Sequence, residues 1–228
     1  MQILKYFPVF ESMENFGPAK MQVPKWYKTT PISFGEKMSF ENPQFTFKAC
    51  TPFLESFTLG YIVTLSGDML WEFDSESEMK YKVTWRQSNV NMMTTRSTKV
   101  VGDMPWPNEF EQIAFSWDLN LCLDIPKSHS VLLTHPLNRH DLPFVTMSAV
   151  IDGFNLANGS VPFFLKKGFQ GLLPAGTPIA QVIPFKRENW KSILDKKVLE
   201  RASITRGKSS ALYRGWYKSN IWKKKHFE

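Results

Sequence analysis

The chain is a succession of short apolar runs, each closed by a turn signal. The alternation is clearest in Ile113-Ala114-Phe115-Ser116-Trp117-Asp118-Leu119, where a strand would place every second side chain on one face. Comparable runs occupy residues 3–7, 59–65, 69–73, 81–85, 121–125, 130–134, 145–151, 161–165, 171–173 and 179–185. Ser66-Gly67-Asp68 and Pro174-Ala175-Gly176 carry turn chemistry between such runs. Roughly ten short strands with turns every 8–12 residues predict a mainly β protein, a sandwich or a barrel.

Two stretches break the pattern. Residues 11–48 are polar and punctuated by Pro18, Pro24, Pro31 and Pro43, which predicts loops and short strands over the surface. Residues 187–202 have helical periodicity, with Trp190, Ile193, Leu194 and Val198 on one face and Lys191, Lys196 and Lys197 on the others. The expected organisation is a single β-rich domain over 1–185, followed by a helix and tail over 186–228 that pack on the domain or on a neighbouring subunit.

Composition sharpens this picture in three places. Of the 228 residues 43% are hydrophobic and 14% aromatic, enough for a core and against disorder. The net charge of +7 is uneven: residues 186–228 hold 13 Lys/Arg against 4 Asp/Glu, while the rest holds 15 against 17. The basic character therefore belongs to the C-terminal segment. Cys50 and Cys122 each sit in an apolar run, as buried free thiols do, and are too few for a disulfide framework. No apolar run follows a basic start at the N-terminus and none approaches a membrane span, so the reading is of a soluble chain that is not secreted and not in a membrane.

Several residues can carry chemistry. Asp152 ends an apolar run, where a carboxylate could activate a water as general base, or begin an Asx turn before Gly153. His129, His135 and His140 lie close to Asp124 and Asp141, but their spacing matches no compact metal motif. His135 precedes a proline, where a solvated or capping role is easier. Gly207-Lys208-Ser209 is not a phosphate loop, because position 202 is alanine. Asn158-Gly159-Ser160 fits a hairpin turn, and Trp106, between two prolines, fits a packed loop anchor. In the tail, Trp222, Lys223, Lys224 and Lys225 combine a stacking ring with phosphate-neutralising charge and are candidates for nucleic-acid binding. Tyr213, Trp216, Tyr217 and Trp222 together point instead to a packed tail, since a free disordered arm carries few aromatics.

Taken in order, some segments resemble the β-clip enzymes that handle deoxynucleotides, the dUTPases and dCTP deaminases. Ala149-Val150-Ile151-Asp152 is similar to their G-x-I-D strand end, and Gly176-Thr177-Pro178-Ile179-Ala180-Gln181-Val182 to their G-x-x-I-A-Q-L segment. Ser130-Val131-Leu132-Leu133 leading to Arg139 stands in the place of their R-S-S segment, and Gly60-Tyr61-Ile62-Val63 resembles their early G-Y-D-L strand. The resemblance implies a β-clip-like or distorted barrel core, a trimer, and a nucleotide pocket between subunits. It implies a water activated by Asp152, Arg139 facing phosphate, Phe154 and Gln181 at the nucleotide, and Mg²⁺ assisting attack on the triphosphate.

The sequence departs from that pattern where catalysis would be. Ile62 replaces the early aspartate, no serine pair accompanies Arg139, and Asn155 takes the base-stacking position with Phe154 one residue before it. A basic aromatic tail stands where a Gly-rich arm belongs, and residues 74–120 have no counterpart. The whole chain also resembles phage-encoded proteins of this length. The expectation is an accessory or virion-associated binding or assembly protein on a dUTPase-like core without catalysis or cofactor. It would be oligomeric, located in the host cytoplasm or the virion, with other phage proteins as partners. The alternatives are a deoxynucleoside triphosphate hydrolase or deaminase using Asp152 and Mg²⁺, and a nucleic-acid binder acting through the tail.

Overall fold

The structure is a computed structural model that describes residues 3–9, 14–34, 45–86, 90–97, 99, 102–152, 159–211 and 216–228. The chain forms two compact units: Met1–Pro24 with Phe57–Lys186 and Phe227–Glu228, and Lys25–Ser56 with Arg187–His226.

The first unit holds the strands β1 (Lys5–Pro8), β2 (Phe16–Pro18), β3 (Tyr61–Thr64), β4 (Met69–Phe73), β5 (Tyr81–Trp85), β6 (Met93–Arg96) and β7 (Ala114–Asp118). They continue as β8 (Leu121–Asp124), β9 (His129–Thr134), β10 (Phe144–Thr146), β11 (Ala149–Asp152), β12 (Ser160–Leu165), β13 (Gly171–Leu173) and β14 (Pro178–Lys186). Among the described residues these pair into sheets of order β11-β9-β14-β3-β2, β10-β12-β7-β6, β13-β4-β5 and β1-β8, none of them closed into a barrel. The chain is thus mainly β, as its periodicity predicts, and the pairings are antiparallel.

The alternation in 113–119 translates directly into the core. Trp117 and Phe163, both fully buried, stack with centroids 3.7 Å apart and planes 6° from parallel. Phe115 stacks with Phe163 at 5.5 Å, and Trp71 meets Phe115 edge-on at 5.2 Å. Burying each such side chain contributes about 2–3 kcal/mol. The one polar atom of Trp117 is satisfied: Nε1 donates to Thr146 Oγ1 at 3.1 Å, and that hydroxyl donates to the Ile179 carbonyl at 2.6 Å.

The structure differs from the periodicity reading where short-range signals are weak. The apolar run 145–151 is two strands in two sheets, β10 and β11, because Met147 and Ser148 carry the chain across the gap. Met147 N–H donates to the Pro162 carbonyl at 2.8 Å, and Ser148 Oγ bonds Thr134 Oγ1 at 2.7 Å. β2 and β6 escape a hydrophobic pattern because their residues are Phe-Gly-Pro and Met-Thr-Thr-Arg. Pro184 is tolerated inside β14 because β3 stops pairing at Val182, so its missing N–H lies beyond the end of that neighbour. The thiols are not buried: Cys50 is exposed, and Cys122 is half-buried because Leu121 and Leu123 take the inward positions of β8.

The second unit is helical where it is regular, with α1 (Lys25–Thr29), α2 (Thr51–Thr58, its last two residues in the β unit), α3 (Lys197–Ala211) and α4 (Trp216–Asn220). α3 starts ten residues later than the pattern of 187–202 predicts and runs nine residues further. Asp195 sets the start: its carboxylate accepts from Lys197 N–H at 2.9 Å and its carbonyl from Val198 N–H at 3.1 Å. The tail packs on α2, where Glu55 accepts from Trp222 Nε1 at 3.1 Å and forms an ion pair with Lys225.

Candidate functional site

A polar constellation of the β unit gathers in the 135–143 connection between β9 and β10. Pro136 and Asn138 shape it: Arg139 N–H closes a turn on the Pro136 carbonyl at 3.1 Å, and Asn138 adopts φ 59°. Asparagine reaches this left-handed region more readily than branched residues do. Gln181, 1% exposed in β14, holds the loop down. Its Oε1 accepts from Leu137 N–H at 2.9 Å, while its Nε2 donates to the Leu59 carbonyl at 2.6 Å. One amide thus ties the loop to the segment before β3.

Arg139 is engaged inside the chain. Its Nε donates to Asp141 Oδ1 at 2.8 Å and its Nη2 to Asp141 Oδ2 at 2.9 Å, a two-pronged pair, while Nη1 reaches the Gln22 carbonyl at 3.5 Å. The Arg139 side chain is only 13% exposed. A paired, half-buried guanidinium of this kind is worth on the order of 1–3 kcal/mol. Asp141→Asn is expected to lower stability by about 1–2 kcal/mol, because it leaves the guanidinium without its counter-charge. Urea unfolding checks this, and an unchanged midpoint would mean that the pair is not formed in solution.

His135 anchors the start of the loop. Its ring lies edge-on to Phe144 at 5.8 Å. Thr146 N–H donates to Nδ1 at 3.2 Å, so Nδ1 is an acceptor and the proton sits on Nε2, which faces the Arg139 carbonyl at 3.1 Å. Burial holds the imidazole below its ordinary value, helped by His140 and Arg139 and opposed by the Arg139 carbonyl and Asp141. Protonation would set a second N–H against that of Thr146. A group with a depressed folded-state pKa binds its proton first in the unfolded chain. Its stability is therefore present above about pH 6.5 and is lost as pH falls through the folded value. The wild-type Tm is expected to fall more steeply between about pH 7 and about pH 5 than that of His135→Gln. Parallel profiles would exclude His135 as the group responsible. The solvated or capping role that sequence suggests for His135 is thus replaced by a half-buried bridge.

Asp152 stands elsewhere. Its register partner is Ser130, at the start of β9, whereas the 135–143 loop leaves from the far end of that strand. The separation along β9 is about 14 Å at ~3.4 Å per residue. Asp152 is exposed, and Ser130 Oγ donates to its Oδ1 at 2.6 Å. The strand carrying it is not buried either: Val150 is 62% exposed. Arg139 and Gln181 are therefore gathered at one end of the five-stranded sheet and Asp152 lies at the other. Phe154 lies outside the described residues, as do Asn155 and Asn158. Among the described residues no three His, Cys, Asp or Glu side chains converge to hold a metal ion.

In the tail, Trp222 is half-buried and, with Lys225, turned to Glu55, while Lys223 and Lys224 are exposed. Trp106 packs against Phe164 at 4.7 Å, as a loop anchor does. What sequence reasoning missed is the partner role of Asp141 to Arg139, of Ser130 to Asp152 and of Glu55 to Trp222. Asp141 had a signal, an acid two residues after an arginine in a turn; the other two are joined to their partners by tertiary contacts alone.

No family model matches the chain, and no curated protein matches it. Among solved structures it is similar to a mutant dUTPase from phage phi11 of S. aureus, described for its coordination of a structural Mg(II) ion. The identity is 12% and the TM-score 0.28, over 46% of this chain and 97% of that one. A score this low assigns neither a shared activity nor a shared site.

Proposed function

We propose that this chain is a binding or assembly protein of the accessory or virion-associated kind that phages encode, working through its surface and without catalysis. The observation that carries this reading is the engagement of the polar residues that the deoxynucleotide-enzyme resemblance marks as functional. Arg139 is held by Asp141, and Gln181 is bonded at both ends to backbone. Asp152, bonded to Ser130, stands one strand length away from both. In-line attack on a phosphate needs a positioned water, a charge clamp and a base within a few ångströms of one another. Within one chain, those groups are spent on holding a loop and a strand end.

Incubation of the purified protein with each dNTP and Mg²⁺ is expected to release neither pyrophosphate nor phosphate, and no dNTP is expected to shift its Tm. Release that disappears in Asp152→Asn, with the fold retained, would replace this reading by the hydrolase one. Release of ammonia from a deoxycytidine or deoxyadenosine nucleotide would replace it by the deaminase one.

A further inference from the structure

The outer face of the four-stranded sheet carries polar groups that the core does not use. On β7, Phe115 and Trp117 point into the core, so Ser116 and Asp118 take the other face. Register adds Thr94 and Arg96 of β6 and Ser160 of β12 to that face, and alternation along β12 adds Phe164. Trp106 packs on Phe164 at 4.7 Å and bounds the face at that end.

Two polar atoms here are buried with no hydrogen-bond partner among the described residues, Ser116 Oγ and Trp106 Nε1. Ser116 is 0% exposed although it is turned away from the core, and register gives the cause. Arg96 stands opposite Ala114 on one side of β7, and Ser160 stands opposite Asp118 on the other. The line between them therefore crosses β7 at Ser116. Arg96 Nη2 donates to Ser160 Oγ, so the arginine lies extended along that line, over the Ser116 hydroxyl. Arg96 itself is exposed and can swing aside without disturbing the core. A buried hydroxyl left unpaired costs stability until something bonds it. Asp118 is half-buried, and nothing among the described residues hydrogen-bonds its carboxylate. Burial raises its pKa, and the Arg96 charge opposes that.

These groups fit one ligand chemistry. A carboxylate only accepts and a guanidinium only donates, while the Ser116, Ser160 and Thr94 hydroxyls do either. Neighbouring hydroxyls of a sugar ring offer donors and acceptors together. The one acid and one base also select on charge: an anion would meet Asp118 and a cation Arg96, so a neutral ligand is favoured. An indole beside these polar groups supplies the apolar wall that ligand sites use. We propose that the outer face of β6, β7 and β12 binds a neutral saccharide unit. Asp118 accepts from its hydroxyls, Arg96 donates to them, and Ser116 meets the ligand once Arg96 swings aside. This rests on the binding reading and names its ligand class.

Saturation-transfer NMR of the full chain with D-glucose, D-galactose and N-acetylglucosamine tests it. At least one of the three is expected to bind. Asp118→Asn and Arg96→Gln are each expected to weaken that sugar about tenfold, as loss of a hydrogen bond to a charged group does. Ser116→Ala is expected to weaken it too and, without sugar, to keep or raise Tm, because an unpaired buried hydroxyl is removed. Circular dichroism checks that each variant is folded; were Asp118→Asn unfolded, Arg96→Gln, altered at an exposed side chain, decides. Binding of none of the three sugars overturns the proposal, as does binding that a folded Asp118→Asn or Arg96→Gln leaves unchanged. Binding of inorganic phosphate in place of every neutral sugar also overturns it, assigning Arg96 to an anion. Nucleotide turnover is measured without sugar, so failure of the binding reading and failure of the saccharide site are read separately.

Discussion

Gly60→Ala is expected to destabilise the β unit by about 3–4 kcal/mol, lowering Tm by on the order of 10 °C. Two effects add. Gly60 has φ 72°, a left-handed conformation that costs an alanine roughly 1 kcal/mol. Its Cβ would also fall 2.2 Å from the Val182 carbonyl oxygen and 3.1 Å from the Ile183 Cα. Those atoms are backbone in β14, and Val182 is paired to β9 on one side and β3 on the other, so they cannot yield without opening the sheet. The Gly60 carbonyl is meanwhile fixed by Ala19 N–H at 3.0 Å. Gly17→Ala is the control, because nothing lies within 4 Å of that Cβ, and it is expected to change stability by less than about 0.5 kcal/mol. Thermal melts of the two variants give the comparison. Equal Tm values would mean that residue 60 does not press on β14.

Gln181→Glu is expected to cost a similar amount, about 3–5 kcal/mol, for a different reason. The amide is buried and bonded at both ends, accepting from Leu137 and donating to Leu59. A carboxylate keeps the first bond and sets an oxygen against the Leu59 carbonyl, in a site that strongly disfavours charge. A protonated carboxyl can donate to that carbonyl. The folded-state pKa of the new group is therefore raised, and the deficit is expected to be small below about pH 4.3 and to grow as pH rises through the folded value. Urea unfolding near pH 5 and near pH 8 checks both the size and the sign. Gln181→Leu lacks the pH dependence and leaves two backbone groups unsatisfied, at about 2–3 kcal/mol. If Gln181 were held for a nucleotide instead of for the loop, both variants would keep wild-type stability.

Both substitutions act at one place, where residues 59–60 lie against β14. The sequence shows that place as a glycine before an apolar run and a glutamine inside another. In the sequence Gln181 is a nucleotide-binding candidate because a family motif carries a glutamine there. The side chain bridges two backbone segments, and that choice between ligand and loop depends on Leu59 and Leu137, 122 and 44 residues away in sequence. Arg139 is similar, although its partner Asp141 was within reach of a local reading. Asp152 was legible as a strand end, but its exposure was not: an apolar run reads alike in an end strand and in a central one. The same ambiguity joined β10 and β11 into one strand, since period-2 alternation carries no mark of which sheet a residue enters.

The sequence by itself determined that the chain is mainly β, where most strands lie, and that Phe115 and Trp117 share one face of a strand. Those outcomes follow from alternation and turn chemistry, which act over a few residues. Only the tertiary structure decided which strands become neighbours, that the tail is tied to Glu55, and that the helix begins at Lys197 and not at residue 187. The first two depend on contacts between segments distant in sequence. Burial and pairing of a polar group are properties of the assembled neighbourhood, so residues of one type, such as Asp141 and Asp152, are told apart only once that neighbourhood exists.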